Sequence, residues 1–149
     1  MTAKRTRLGG VATGVLALAL LTAVPTVASA QASAPLSRTT IWDGVYTAAQ
    51  ATRGERTAYV NCFSCHTAAD WTASKFLDPS SEQRLGDLFQ MISRQMPMDS
   101  PGKLSPAEYA DVIAYMLKLQ GAPAGEKELV GDVRELDRIF VARPKPPRN

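Results

Sequence analysis

Both cysteines and the only histidine of the 149-residue chain lie within five positions, Cys62-Phe63-Ser64-Cys65-His66. At C-x-x-C-H spacing, two thiols can add across the vinyl groups of a haem while the adjacent imidazole takes an axial place on its iron. Other uses of these side chains fit less well. A structural zinc ion normally takes four protein ligands, and the soft ligands here stop at three. A thioredoxin-type dithiol belongs in a βαβ setting, whereas this stretch reads as helical. A plain disulfide would close a very short loop and stabilise little. The motif therefore points to one covalently attached haem c, with Cys62 and Cys65 as thioether donors and His66 as an axial ligand.

With no second histidine, bis-histidine ligation is excluded, and the sixth position falls to Met, to Lys, to a weaker ligand or stays open. Apart from Met1 the methionines are Met91, Met96, Met98 and Met116. Met91 and Met116 fall in helical stretches, where a methionine is most often core filler. Met96 and Met98 lie in a loop marked by Pro97, Pro101 and Gly102. Pro97 pushes Met96 from helical toward extended backbone, so that its side chain can turn into a crevice. Met96 is the preferred candidate and Met98 the alternative.

The elements that must position these residues read as helices. Thr47-Ala48-Ala49-Gln50 has the capping-box pattern and opens a helix over 48–61, with Ala51, Gly54 and Ala58 as a smooth face for a close neighbour. Residues 67–80 read as loop, with Trp71 and Phe76-Leu77 as apolar anchors. Leu85, Leu88, Phe89 and Ile92 give the buried stripe of a helix over 82–94. Ser105, Pro106 and Glu108 announce a third helix, Leu104 and Tyr109 suit a hydrophobic staple, and Gly121 is a suitable stop. Tyr109, Val112, Ile113, Met116 and Gln120 mark one face of it. Trp42 and Tyr46, in the irregular lead-in, are expected to pack on the domain, and Leu129, Val133, Leu136, Ile139 and Phe140 to clip onto it. No strand alternation stands out. The expected class is all-α, three to five helices around one covalently attached haem.

The first thirty residues read as a cleaved export signal: Lys4, Arg5 and Arg7, an apolar run from Leu8 to Val24, then Ala28-Ser29-Ala30. An uncleaved anchor is the alternative, although a Gly-, Ala- and Thr-rich run of this length is at the lower limit for a bilayer span. No cysteine near the cut offers a lipid anchor. The division expected is signal 1–30, haem domain 31–123 with its lead-in, and an extension 124–149 whose end, from Arg143, is disordered. Removing the signal takes Lys+Arg from 17 to 14 against 14 Asp+Glu, so the basic balance of the full chain reports the signal and not a nucleic-acid surface. The expected location is periplasmic, with no stable membrane span once the signal is cut.

Cys62-Phe63-Ser64-Cys65-His66, then Met96-Pro97, Pro101-Gly102, Leu104-Ser105, Glu108-Tyr109 and Ala114-Tyr115, together resemble a small class I bacterial c-type cytochrome over residues 44–120. The resemblance implies that the Met of the Met-Pro pair, Met96, ligates iron and that the first and last helices cross. Two positions depart from the family pattern. Thr67 stands where glycine often follows the motif histidine, and Ala58, followed by Tyr59, stands where an aromatic is usual. Pro79 is a candidate acceptor for the His66 Nδ1–H. The function expected is single-electron transfer between redox proteins such as a periplasmic dehydrogenase, a terminal oxidase or another cytochrome, with docking at the exposed haem edge. Two alternatives follow from other classes: a dedicated cytochrome subunit of a periplasmic dehydrogenase, docked through Leu129 to Phe140, or a haem enzyme or gas sensor with an open sixth site. No acid–base constellation for peroxide chemistry is present, which disfavours the last.

Overall fold

The structure, a computed structural model, describes residues 38–72, 77–78 and 82–142. The signal-like residues 1–30, Phe76, Pro79 and the stretch from Arg143 onward lie outside the described residues. The chain runs β1 (Thr39–Thr40), α1 (Ala48–Asn61), α2 (Ala68–Thr72), α3 (Leu85–Gln95), α4 (Pro106–Leu119), α5 (Val133–Leu136) and β2 (Ile139–Phe140). The fold is all-α, apart from this one pair of two-residue strands.

Helix α4 is the centre of the core. All residues from Tyr109 to Leu117 are buried, so it is enclosed on every side instead of presenting the single apolar face its periodicity suggests. Its ends are set locally. The Ser105 hydroxyl accepts from the Glu108 N–H at 3.3 Å, and the Glu108 carboxylate accepts from the Ser105 N–H at 2.8 Å. At the other end Gly121 takes φ +79°. Its N–H donates to Lys118 and that of Ala122 to Leu117, the paired bonds that close a helix through a left-handed glycine.

Helix α1 crosses α4 at Gly54, where a Cβ would lie 1.8 Å from the Asp111 carbonyl oxygen. The glycine thus lets two helix backbones touch, which outweighs its propensity cost of about 1 kcal/mol. Ala51 and Ala58 are fully buried beside it. Thr47 caps α1 by accepting from the Gln50 N–H at 3.0 Å. The reciprocal half of the expected capping box is absent. The Gln50 side chain instead donates to the Leu129 carbonyl at 2.9 Å and accepts from the Leu129 N–H at 2.8 Å. A buried amide that meets a whole peptide unit satisfies four polar groups at once, more than the box would.

Two further expectations are corrected. Residues 67–80 are not all loop. Thr67 and Asp70 form their own cap, with the Asp70 carboxylate accepting from the Thr67 N–H at 2.8 Å, and start α2. Helix α3 starts at Leu85, not at 82, because the residues before it bond elsewhere. The Gln83 carbonyl accepts from Val141 at 2.8 Å, and Asp87 accepts from the Arg84 N–H at 3.1 Å. The four stripe residues of α3 are buried as expected.

The lead-in and the extension close over the back of the helices. β1 and β2 pair in parallel, Thr39 with Ile139 and Thr40 with Phe140. Tyr46, 2 % exposed, donates its hydroxyl to the Ala122 carbonyl at 2.6 Å. The Trp42 indole donates to the Ala142 carbonyl. Leu129 and Leu136 are buried, which takes them out of the docking element suggested for this segment and leaves Val130 exposed. Arg53 ties α1, α4 and the extension together, reaching Asp111 at 2.9 Å and Glu128 at 2.8 Å.

Candidate functional site

The final turn of α1 delivers the C-x-x-C-H segment. Cys62 closes that helix through its N–H to Ala58 at 2.8 Å. The chain then curls tightly, with the Cys65 and His66 N–H groups both donating to the Cys62 carbonyl at 3.1 and 2.9 Å. This turn gathers Cys62, Cys65 and His66 at the mouth of one cavity of about 290 Å³. Cys62 is half-buried and Cys65 exposed. Burial pushes the Cys62 thiol up from its usual range, with Lys103 opposing in part.

Thr67, the departure from glycine, acquires a reason here: it caps the short helix that carries Trp71. Trp71 is 4 % exposed and lines the cavity, with its ring centroid 5.3 Å from Phe63 and 6.1 Å from His66. The second departure is also accommodated. Ala58 fills the buried position and Tyr59 is 75 % exposed.

The far end of α3 and the proline loop complete the cavity. Met96 is the C-cap of α3, with φ −124° and ψ 150°, the extended geometry expected of a residue before proline. It is partly buried against the core, whereas Met98 is 80 % exposed. Met91 and Met116, read from sequence as filler, also line the cavity, so all four methionines beyond Met1 meet there. Proximity alone therefore does not choose a ligand; burial separates Met96 from Met98, and Met91 and Met116 differ from both in lying within α3 and α4. The loop is held by turn bonds, Ser100 N–H to Pro97 at 3.0 Å, and by the Tyr109 hydroxyl, which donates to the Met96 carbonyl at 2.6 Å. Sequence reasoning assigned Tyr109 to a staple and to the packed face of its helix. Its polar end carries no local signal, because the carbonyl it meets belongs to another element.

Ile92, Leu104, Val112 and Met116 supply apolar walls. Among the described residues no three Cys, His, Asp or Glu side chains converge to hold an ion directly. Two thiols, an imidazole and a thioether spread around one apolar cavity fit a broad planar group that carries its own metal. The donor chemistry thus matches haem: thiols for vinyl groups, imidazole and thioether for iron, and hydrocarbon for the macrocycle faces.

Fold and donor set together fit a c-type cytochrome. Residues 49–116 match the family described as "Cytochrome C oxidase, cbb3-type, subunit III". This match is in keeping with a small class I c-type cytochrome, and it supports a haem-based electron-transfer protein that holds haem c covalently. No curated protein and no solved structure matches the chain. Among the described residues no helix is long and apolar enough to cross a membrane.

Proposed function

We propose that this protein is a periplasmic carrier of single electrons, with one haem held by Cys62 and Cys65 and ligated by His66 and Met96. The observation that supports this reading is the shared cavity: the motif at the end of α1 and Met96 at the end of α3 line the same apolar space. When bound, the haem iron supplies a one-electron couple. His66 contributes a nitrogen lone pair. Met96 contributes a soft thioether, which favours the ferrous state and raises the potential. Ile92, Val112 and Met116 exclude water and lower the local dielectric, which acts in the same direction. Covalent attachment keeps the cofactor in place through repeated encounters with partners, whose contacts with such carriers are small and transient. The signal-like residues 1–30 support the periplasmic placement.

A second reading is supported by the family description, which names an oxidase subunit. In it the same centre serves as a fixed relay of a terminal oxidase or of a periplasmic dehydrogenase. Near-stoichiometric co-purification with such an enzyme favours that role; a freely diffusing monomer favours the carrier.

Optical spectra of the oxidised and reduced protein test the centre. Wild type and Met98→Ala are expected to show the Met-to-iron charge-transfer band when oxidised, and Met96→Ala to lose it. Loss in Met98→Ala alone would move the ligand to Met98. Carbon monoxide binding rapidly to reduced wild type, with no Met band, would replace the carrier by an open-site haem protein.

A further inference from the structure

Met96 is held from two sides at its backbone. Its carbonyl accepts from the Tyr109 hydroxyl at 2.6 Å and, more weakly, from the Gly102 N–H at 3.5 Å. Tyr109 is 4 % exposed and sits in the first turn of α4, whose start is locked by the Ser105–Glu108 cap. Its ring meets Phe89 of α3 edge-on, with centroids 6.3 Å apart and planes at 82°. The helix before the ligand loop and the helix after it thus converge, through one phenol, on the peptide that carries Met96.

We propose that Tyr109 is a positioning residue: its hydroxyl ties the Met96 peptide to α4 and thereby governs how readily the thioether is displaced from the cofactor. The proposal rests on the His66/Met96 reading above. A thioether is a weak axial ligand, so its retention depends on what it costs the loop to swing away. An external ligand that takes the Met96 place must move that loop and break the Tyr109–Met96 bond. Without the hydroxyl that barrier to displacement is lowered, while the apolar ring still fills its site. The bond lies on the backbone, so it acts on loop position without changing the sulfur itself.

The molecule supplies its own control. Tyr46 is 2 % exposed and donates to a backbone carbonyl, that of Ala122, at the same 2.6 Å, yet neither residue lines the cavity. Removing either hydroxyl deletes one phenol–carbonyl bond, buried at Tyr46 and part-buried at Tyr109; only one of the two bonds touches the ligand loop.

The experiment is a titration of the oxidised, haem-loaded wild type, Tyr109→Phe and Tyr46→Phe with imidazole, following the Met-to-iron band, with a thermal melt of each. Tyr109→Phe is expected to bind imidazole roughly five- to tenfold more tightly than wild type. Tyr46→Phe should lose comparable melting stability while its imidazole affinity stays within about twofold of wild type. Equal imidazole affinities in wild type and Tyr109→Phe, with the band present in both, overturn the positioning role and leave the ligation reading standing. An equal shift in Tyr46→Phe also overturns it, since stability alone would then set displacement. A wild type with covalent haem but no Met band overturns the ligation reading itself. Should Tyr109→Phe not accumulate, Phe89→Leu loosens the ring and keeps the hydroxyl; tighter imidazole binding supports the role, and unchanged binding overturns it.

Discussion

The cavity side and the back of the molecule are built from opposite materials. The cavity is walled by thioethers, aromatics and aliphatics, with Met91, Met96, Met98, Met116, Trp71 and Ile92 along it. The back is a clasp of directional bonds: Gln50 on the Leu129 peptide, Arg53 on Asp111 and Glu128, Tyr46 on Ala122, and β1 on β2. Among the described residues no buried side-chain N or O lacks a partner. The difference teaches a division of labour. Polar bonds fix chain geometry, but they raise the local dielectric, so they serve best away from a redox centre whose potential depends on an apolar wall. The clasp can therefore be weakened with little effect on the spectrum of the haem centre, while the helix crossing between the two regions supports both.

That crossing should give the largest effect. In Gly54→Val the new side chain would enter the Asp111 peptide of α4, and a loss of about 3 kcal/mol or more is expected. Because α1 carries the C-x-x-C-H segment, the yield of covalent haem should fall with it, as read from the haem absorbance per mole of protein. A normal yield with an unchanged melt would mean that the helices do not touch there.

Gln50→Ala should come next. It leaves both polar groups of the Leu129 peptide unpaired in the core, at about 2 to 4 kcal/mol. Denaturant melts should show the loss while the oxidised and reduced spectra stay as in wild type. A changed Met band would break the separation of clasp from cavity. Ser105→Ala removes the cap of α4 and should cost about 1 kcal/mol in the same assay.

The smallest effect is in pH. The Arg53 guanidinium holds the Glu128 carboxyl below the ordinary carboxylate range, and the Ser105 N–H and hydroxyl do the same for Glu108. Both folded values are depressed. Their contribution is therefore complete above the unfolded glutamate value and is lost as the pH falls through the folded values. Melting midpoints should decline between about pH 5 and about pH 3. Glu128→Gln should make that decline shallower, and only slightly, because the pair is exposed and water screens it.

Much of this arrangement was legible along the chain. The start of α1 at Thr47, the start of α4 at Ser105, its stop at Gly121 and the buried stripe of α3 all follow from signals within a few residues of where they act. Helix α2 escaped because five residues are too few for a hydrophobic period, although Thr67-x-x-Asp70 is a capping pattern that marks it. The start of α3 was placed early because Gln83 bonds to Val141, far along the chain. Two-residue strands carry no alternation, so the pairing of Thr39–Thr40 with Ile139–Phe140 had no local trace.

The composition and order of Cys62–His66 by themselves determined the class of cofactor, since two thiols beside the chain's only imidazole leave little other chemistry. The histidine count excluded a second imidazole, and Pro97 made Met96 extended; these are covalent and steric facts that need no fold. Only the tertiary structure decided that Met96 is sheltered while Met98 is exposed, that Gln50 serves the extension instead of its own helix, and that Tyr109 reaches the Met96 carbonyl. Each of those depends on a partner that sequence proximity does not indicate, because burial and hydrogen bonding are properties of what the folded chain brings alongside.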